Sequence, residues 1–331
     1  MAYTTINKST DYFNTKLYTG NGGTQSITGV GFQPDWCWFK RRDGGASNHA
    51  LQDAVRGVTK FIQSNTNVAE ATSSNYLTSF DSDGFSLAGD GDVNQNSGNH
   101  VAWNWKAGAG QGSSNTDGSI NTTYTSVNTT AGFSICKWTG TGSAGTVGHG
   151  LGAVPKMIIV KNLDSAEAWP VYHNGLATDA ETDHIYLNTT DAKGDSASHW
   201  NDTAPTSTVF SLGTSSESNK SGSPMIAYCF AEKTGYSKFG SYTANGDVSG
   251  GFVYLGFKPS FLMIKRTDDA AGWIIYDNKR EGRNTENDYL LASSTSAEGT
   301  NNEIDLYSNG FKPREANRNE LNVSGGSYIY M

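Results

Sequence analysis

The motif Tyr18-Thr19-Gly20-Asn21-Gly22 recurs twice further along the chain, as Trp138-Thr139-Gly140-Thr141-Gly142 and as Tyr242-Thr243-Ala244-Asn245-Gly246. A proline follows each motif, and a lysine lies six residues after each proline, giving the pairs Pro34 and Lys40, Pro155 and Lys161, and Pro259 and Lys265. Spacing that recurs in this way indicates one supersecondary unit present in three copies. We call residues 15–108, 133–235 and 236–331 segments 1, 2 and 3.

The residues after these markers predict β-strands. Residues 156–161 and 260–265 are short apolar runs rich in β-forming residues, and each follows a proline, which is tolerated where a strand begins. Further strands are predicted at 84–87, 209–212 and 310–312, and last strands at 101–105, 226–230 and 329–331. This alignment places Met331 at the position of Trp103 and Tyr228. Segment 3 then stops inside its last strand, so we expect a few more residues in the natural chain.

The predicted fold class is all-β, with three tandem β-sandwich repeats of the jelly-roll or lectin-like kind. Residues 53–63 are the one stretch with helical spacing, because Val55, Val58 and Ile62 could share a helix face. Four tryptophans at strand positions are expected to pack in the core, namely Trp36, Trp38, Trp103 and Trp105.

The segments are joined by connections of unequal length. Residues 109–132 are rich in Gly, Ser, Thr and Asn, which predicts a flexible linker. The join between segments 2 and 3, residues 233–238, is only six residues long. We therefore expect segments 2 and 3 to pack closely and segment 1 to be more independent. Residues 1–14 have no counterpart before the other segments and are predicted to serve attachment or oligomerisation.

Composition excludes several classes of function. The net charge of −8 argues against nucleic-acid binding, which needs a basic surface. No apolar run approaches the about 20 residues of a membrane span, so membrane insertion is not expected. The first residues also lack the charged and apolar regions of a signal peptide. The cysteines, Cys37, Cys136 and Cys229, do not recur with the copies, so they predict buried thiols, although a Cys136–Cys229 bridge stays open.

Metal and cofactor sites are weakly indicated. Asp90 and Asp92 belong to an acidic cluster of the kind that can hold calcium, but Gln95 and Val101 break the EF-hand pattern. A solvated hairpin is the preferred interpretation. The six histidines show no spacing typical of zinc ligands. We therefore predict no resident metal or cofactor, with calcium at Asp90 and Asp92 as the weak alternative.

Catalytic signatures are missing from the sequence. No G-x-S-x-G motif marks a nucleophilic serine. The copies also keep no acidic pair, because the corresponding positions carry Asp53, His173 and Asp277. We predict that the chain is not an enzyme. The strongest binding candidates are His199 and Trp200, because an exposed indole in a polar loop could stack against a sugar ring.

Several stretches resemble repeat-containing virion proteins of marine bacteriophages. The resemblance lies in residues 1–10, 31–36, 53–57, 79–87, 101–108, and in Gly310-Phe311 with residues 328–331, and so covers nearly the whole chain. Such proteins are usually labelled tail fibre or receptor-binding proteins. The resemblance implies a lectin-like β-sandwich for each copy and supplies no catalytic residues.

These observations together predict a non-enzymatic virion protein, a tail fibre or receptor-binding adhesin that contacts host surface glycans. It is expected to be a homotrimer, made in the host cytoplasm and joined to other virion proteins through residues 1–14. The three copies would form an extended array of weak sites whose avidity comes from multivalency. One alternative is a capsid or neck decoration protein without receptor binding. A second is a polysaccharide-degrading tailspike enzyme.

Overall fold

A computed structural model describes residues 4–301 and 303–331 of the chain. Segment 1 contains nine strands and a short helix: β1 Phe13–Thr19, β2 Gln25–Thr28, β3 Trp36–Arg41, β4 Ala50–Asp53, β5 Lys60–Phe61, β6 Ala71–Thr72, β7 Leu77–Asp81, β8 Gly84–Leu87, α1 Gly91–Asn94 and β9 Asn99–Trp105. A 3-10 turn, Ser9–Asp11, precedes β1.

Segment 2 and the stretch before it contain β10 Thr122–Asn128, β11 Phe133–Thr139, β12 Gly145–Gly148, β13 Pro155–Asn162, β14 Pro170–His173, β15 Asp183–Tyr186, β16 Gly194–Asp195, α2 Ala197–Trp200, β17 Val209–Leu212, α3 Ser216–Asn219 and β18 Pro224–Ala231. Segment 3 contains β19 Gly240–Thr243, β20 Val253–Tyr254, β21 Phe261–Arg266, β22 Ile274–Asp277, β23 Leu290–Leu291, β24 Ile304–Tyr307, β25 Gly310–Pro313 and β26 Ser327–Tyr330. The predicted all-β class is confirmed. None of the helices in the described residues is long and apolar enough to cross a membrane.

Each segment contributes one large antiparallel sheet in which its last strand lies between its first and third. The strand orders are β1-β9-β3-β4, then β10-β11-β18-β13-β14-β15-β16, then β19-β26-β21-β22-β23. The last strands of segments 1 and 2 pair at equivalent places, since Trp38 pairs with Trp103 and Ile159 pairs with Tyr228. In segment 3, the Met263 amide donates to the Met331 carbonyl at 3.0 Å.

A smaller sheet lies against each large one. Its strands are β2-β8-β7 in segment 1, β12-β17 in segment 2 and β20-β25-β24 in segment 3. In segment 1, Phe39 of the large sheet and Phe85 of the small sheet belong to the same buried cluster, with ring centroids 5.0 Å apart. Inward-facing apolar side chains on both sheets therefore exclude water between them, which is the main source of stability in such layers.

A buried asparagine holds the turn motif in each segment. Asn94, Asn219 and Asn322 are fully buried. The Asn94 Nδ2 donates to the carbonyls of Gly23 and Ala88, and the Asn219 Nδ2 donates to those of Ser143 and Gly213. The glycine that ends each motif has a positive φ of 68° to 71°, a backbone conformation that favours glycine. The motif recurs because this turn needs both features.

The helical spacing over residues 53–63 does not correspond to a helix. The chain forms turns there, followed by β5. Gly57 has a φ of 94°, which no α-helix contains, and the Asp53 side chain accepts the Arg56 amide in place of a helical bond. The apolar residues Val55 and Ile62 are buried nonetheless, because tertiary packing can use apolar spacing without a helix.

The flexible linker expected over residues 109–132 is also wrong. Residues 122–128 form β10, which pairs with β11 along its whole length. The preceding turn is held by Asp35, whose carboxylate accepts the amides of Ala107, Ala109 and Gly110. The glycines and serines of this stretch therefore belong to a tight turn and a strand that are fixed by hydrogen bonds.

The predicted packing of tryptophans and cysteines is confirmed. Trp36, Trp38, Trp103 and Trp105 are all buried. Cys37, Cys136 and Cys229 are buried free thiols, so the alternative of a Cys136–Cys229 bridge is not adopted. Burial raises the pKa of Cys229 well above its usual value, because a thiolate would be poorly solvated there.

Candidate functional site

Three buried lysines join the segments in a closed cycle. The Nζ of Lys40 donates to the carbonyl of Thr295 in segment 3, that of Lys161 donates to Asn67 in segment 1, and that of Lys265 donates to Thr190 in segment 2. Each lysine also donates to a carbonyl of its own segment at 2.6 to 2.7 Å. Burial lowers the pKa of each of these lysines to about 8.

A second set of side chains repeats the same cycle. The ring nitrogens of His49, Trp169 and Trp273 bond the carbonyls of Leu291, Thr66 and Tyr186, respectively. One set of backbone bonds runs in the opposite direction, since the amides of Glu70, Lys193 and Glu298 donate to the carbonyls of Leu163, Thr267 and Arg42. Each segment thus donates to, and accepts from, both of the others.

The third set lies where the fourth strand of each segment ends. Asp53 accepts the Tyr228 hydroxyl at 2.7 Å, Asp277 accepts the Trp103 indole at 2.9 Å, and the His173 Nε2 bonds the Tyr330 carbonyl at 3.0 Å. These groups are buried among aromatic rings, with Trp36 stacked on Tyr228 at 4.4 Å between centroids. One buried cluster contains residues of all three segments.

Two expectations about domain arrangement are therefore wrong. Segment 1 is not more independent than the others, because it is bonded to segments 2 and 3 through the same kinds of contact that join those two. The segments also do not form an extended array, since the contacts close into a cycle. The lysines were visible in the sequence as markers of the repeat, but their spacing says nothing about which segment they reach.

Among the predicted site residues, Trp200 is not an exposed platform. Its side chain is only 2% exposed and packs edge-on against Tyr172 at 6.0 Å. Trp200 ends helix α2, and the residue after it, Asn201, turns the chain in the left-handed conformation with a φ of 54°. That turn directs the indole into the core. The expected sugar-stacking role of Trp200 loses its basis.

His199 belongs to a buried polar cluster. Its Nε2 lies 2.7 Å from Glu217, whose carboxylate also accepts the Tyr186 hydroxyl at 2.9 Å. His184 stacks on His199 with the ring centroids 3.9 Å apart. Burial lowers the pKa of His184 to about 4, and the neighbouring His199 is a second, smaller cause. Burial opposes ionisation of Glu217, yet the bonds from His199 and Tyr186 lower its pKa. The Nδ1 atoms of His184 and His199 are buried without a hydrogen-bond partner among the described residues, so the cluster is only partly satisfied.

The weak calcium candidates Asp90 and Asp92 have other partners. Asp90 caps helix α1 by accepting the Asp92 amide at 2.9 Å. Asp92 accepts donors from Ser47, Asn48, Gln63 and Tyr76. Its oxygens therefore serve internal hydrogen bonds. Within residues 4–301 and 303–331, no group of three or more His, Cys, Asp or Glu side chains is arranged to hold a metal ion.

A pocket of about 260 Å³ lies where the segments meet. Most of its lining is aromatic or apolar, including Phe13, Trp105, Phe230, Phe261 and Met331. Trp105 pairs with Trp36 in the first large sheet, and Phe230 pairs with Met157 in the second. Segment 3 contributes Phe261 of β21 to the same lining, so large apolar side chains from all three segments bound the pocket.

The lining residues of this pocket supply little chemistry for catalysis. Its ionisable side chains are those of Lys238, Lys258, Tyr236 and Tyr330, and no carboxylate or histidine side chain of the described residues lines it. The position considered for paired carboxylates fares no better, because Asp53 and Asp277 are buried and bonded to Arg56 and Arg280. General acid–base catalysis needs such groups to reach a substrate. The side chains that line the pocket therefore fit packing or ligand binding.

Sequence comparison places the chain in a family without a described activity. No curated protein and no solved structure matches it. Residues 8–331 match the model of a single family across all three segments. The chain therefore belongs to the family described as domain of unknown function DUF7483.

Proposed function

We propose that this chain is a structural adhesin of a bacteriophage virion, a tail fibre or receptor-binding protein built from three tandem β-sandwich units. The observation that carries the proposal is the cycle of buried contacts among the three segments. Lys40, Lys161 and Lys265 each satisfy carbonyls in a neighbouring segment. Such a body gains rigidity from its interfaces and contains no disulfide among its three buried cysteines.

A binding role fits the chemistry better than an enzymatic one. The carboxylates Asp53 and Asp277 are engaged in buried ion pairs, and Glu217 is engaged by His199 and Tyr186. The resemblance to marine phage virion proteins supports a location in the virion. The sites of attachment to other virion proteins are proposed for residues 1–14, of which residues 1–3 lie outside the described residues. The homotrimer remains a prediction, which light scattering of the purified protein measures.

The test is immunogold labelling of intact virions with an antibody against this chain. Label confined to the tail is the expected result. The same antibody absorbed with purified protein is the control and should abolish the label. Virions that carry no label, in a preparation where the protein is detected only in infected cells, would refute the proposal.

A decoration role is the second candidate, because a rigid body closed by the cycle of contacts could sit on a shell as well as on a tail. Label over the head or neck would support that role. Purified protein should also compete with phage adsorption if the chain is an adhesin, whereas a decoration protein should leave adsorption unchanged.

A further inference from the structure

The outer face of one small sheet carries large exposed rings. In the sheet β20-β25-β24 the residues Val253, Leu306 and Phe311 face the core and are buried. Side chains alternate along a strand, so their neighbours point outward. Those neighbours include Phe252, Tyr254 and Tyr307, which are 48%, 58% and 38% exposed. We call these three residues the aromatic face.

A glycine lies at the centre of the aromatic face. Gly310 on β25 pairs with Tyr254 on one side and with Tyr307 on the other. A Cβ at Gly310 would lie 2.8 Å from the Phe252 ring and 2.1 Å from the Val253 carbonyl oxygen. The Phe252 ring therefore covers the glycine, and it meets the Tyr307 ring edge-on at 5.8 Å. The rings are held in place by the sheet.

Hydrogen-bonding groups surround these rings. The Lys238 ammonium lies 5.7 Å from the centroid of the Tyr254 ring. The Tyr307 hydroxyl donates to Asp305, which also pairs with Arg314 at 3.4 Å. On the central strand, the Lys312 ammonium donates to the Ser249 hydroxyl. The face thus combines apolar rings with charged and polar groups at its rim.

The fold itself does not require aromatic residues there. The corresponding row in segment 1 is Thr28, Gly84 and Asp81, paired in the same order across β2, β8 and β7. Its neighbours Ser26 and Ser86 bond each other at 2.8 Å. Segment 1 therefore builds the same sheet with a polar outer face. The rings of segment 3 leave apolar surface in water without serving the core, and exposed apolar surface of this kind commonly marks a binding site.

We propose that the aromatic face binds carbohydrate, a proposal that rests on the adhesin function above. An aromatic ring stacks against the C–H face of a sugar, and the Asp305, Lys312 and Arg314 side chains offer partners for its hydroxyl groups. A protein partner needs about 800 Å² of surface on each side of a stable interface. Three rings with a charged rim suit one or two sugar residues better than such an interface.

The experiment uses fluorescently labelled protein on an array of bacterial capsular and O-antigen polysaccharides, both neutral and acidic. We expect saturable binding to at least one polysaccharide. Tyr254→Ala and Tyr307→Ala should each weaken that binding about tenfold, the effect of losing one stacked ring worth about 1.4 kcal/mol. Val68→Ala removes an exposed side chain of segment 1, so this control should bind like the wild type. Unchanged melting temperatures would confirm that the tyrosine variants are folded.

The outcomes separate this inference from the proposed function. No binding anywhere on the array, or equal binding by the tyrosine variants, would overturn the carbohydrate site even if the virion is labelled. Loss of the variants from assembled virions, with the array negative, would assign the aromatic face to a protein partner. Binding that depends on Tyr254 and Tyr307, in a protein absent from virions, would support the site and refute the virion role.

Discussion

Segments 1 and 3 end their fourth strand with a buried carboxylate, whereas segment 2 ends the corresponding strand with a histidine. Asp53 and Asp277 accept hydrogen bonds from Tyr228 and Trp103, and His173 bonds the Tyr330 carbonyl. In every case the side chain reaches the next segment. The fold therefore needs a polar link at this place and accepts either a charged or a neutral one.

The residues around each link differ according to whether the link is a carboxylate or a histidine. Arg56 and Glu70 accompany Asp53, and Arg280 and Glu298 accompany Asp277. Segment 2 instead has Leu176 three residues after His173, and Lys193 where the others have glutamate. Removing the carboxylate removed the need for a buried cation. A buried ion pair and a neutral hydrogen bond can therefore occupy the same place in the fold. Loss of one partner destabilises the ion pair more, because only the ion pair then leaves an unpaired buried charge.

The largest effect is expected from Asp277→Ala. The change leaves the Arg280 guanidinium, whose side chain is 0% exposed, with Glu298 as its remaining charged partner, and it removes the acceptor of the Trp103 indole, so it should lower the free energy of unfolding by about 3 kcal/mol. Urea denaturation measures the loss. Asp268→Ala is the control, because the carboxylate it removes from Arg266 is 39% exposed, and the expected loss is under about 1 kcal/mol. Equal losses for the two variants would contradict the comparison.

Acid should weaken the link in segment 2. The His173 Nδ1 accepts the Gly175 amide, so Nε2 carries the proton, and burial lowers the pKa of His173 to about 4. Between pH 6.5 and 4, the unfolded chain binds a proton that the folded chain excludes, so stability falls as the pH is lowered. At pH 5, His173 is expected to lower the free energy of unfolding by about 2 kcal/mol relative to neutral pH.

Denaturation of wild type and His173→Gln at pH 8 and pH 5 measures that contribution. The variant should lose less stability than the wild type over this range, because glutamine does not titrate. His49 and His149 also hold Nδ1 as an acceptor, so part of the acid loss should remain in the variant. An identical pH dependence for both proteins would show that His173 does not titrate on unfolding.

Lys161→Met tests the cycle of lysines. The change removes three donors and leaves the carbonyls of Asn67, Ser165 and Glu167 without this partner, while it also removes a buried ammonium. These effects partly cancel, and the expected net loss is about 1 to 2 kcal/mol. Lys220→Met alters an exposed lysine and should change stability by less than about 0.5 kcal/mol. A stabilised Lys161→Met would mean that burial of the ammonium outweighs its three bonds.

The smallest effect is expected from Lys193→Gln. This lysine occupies the place of Glu70 and Glu298, but its ammonium pairs with Asp183 while 36% exposed. Its expected contribution is under about 1 kcal/mol and should shrink in high salt. Thermal melts with and without about 0.5 M sodium chloride, which screens exposed charges, measure this contribution and its dependence on salt. A loss of stability as large as that of Asp277→Ala would contradict the comparison, because it would mean that segment 2 also depends on a charged side chain at this place.

Local sequence patterns predicted the strands well. Strands β8 and β17 span the residues expected from the apolar runs at 84–87 and 209–212, and β13 and β21 begin within one residue of the prediction. The helical spacing of residues 53–63 did not produce a helix, because Val55 and Ile62 are buried by tertiary contacts rather than by a helix face. The site was predicted less well, because exposure of Trp200 depended on the direction of a single left-handed turn at Asn201.

By itself, the sequence determined the all-β class and where most of the longer strands lie, since these depend on short-range patterns of apolar residues, glycines and prolines. Only the tertiary structure decided how the segments meet. Nothing in the spacing of Lys40, Lys161 and Lys265 shows that each reaches a different neighbour, because those contacts join residues 75 to 255 positions apart. Contacts of that separation depend on the packing of whole sheets, which no local pattern encodes.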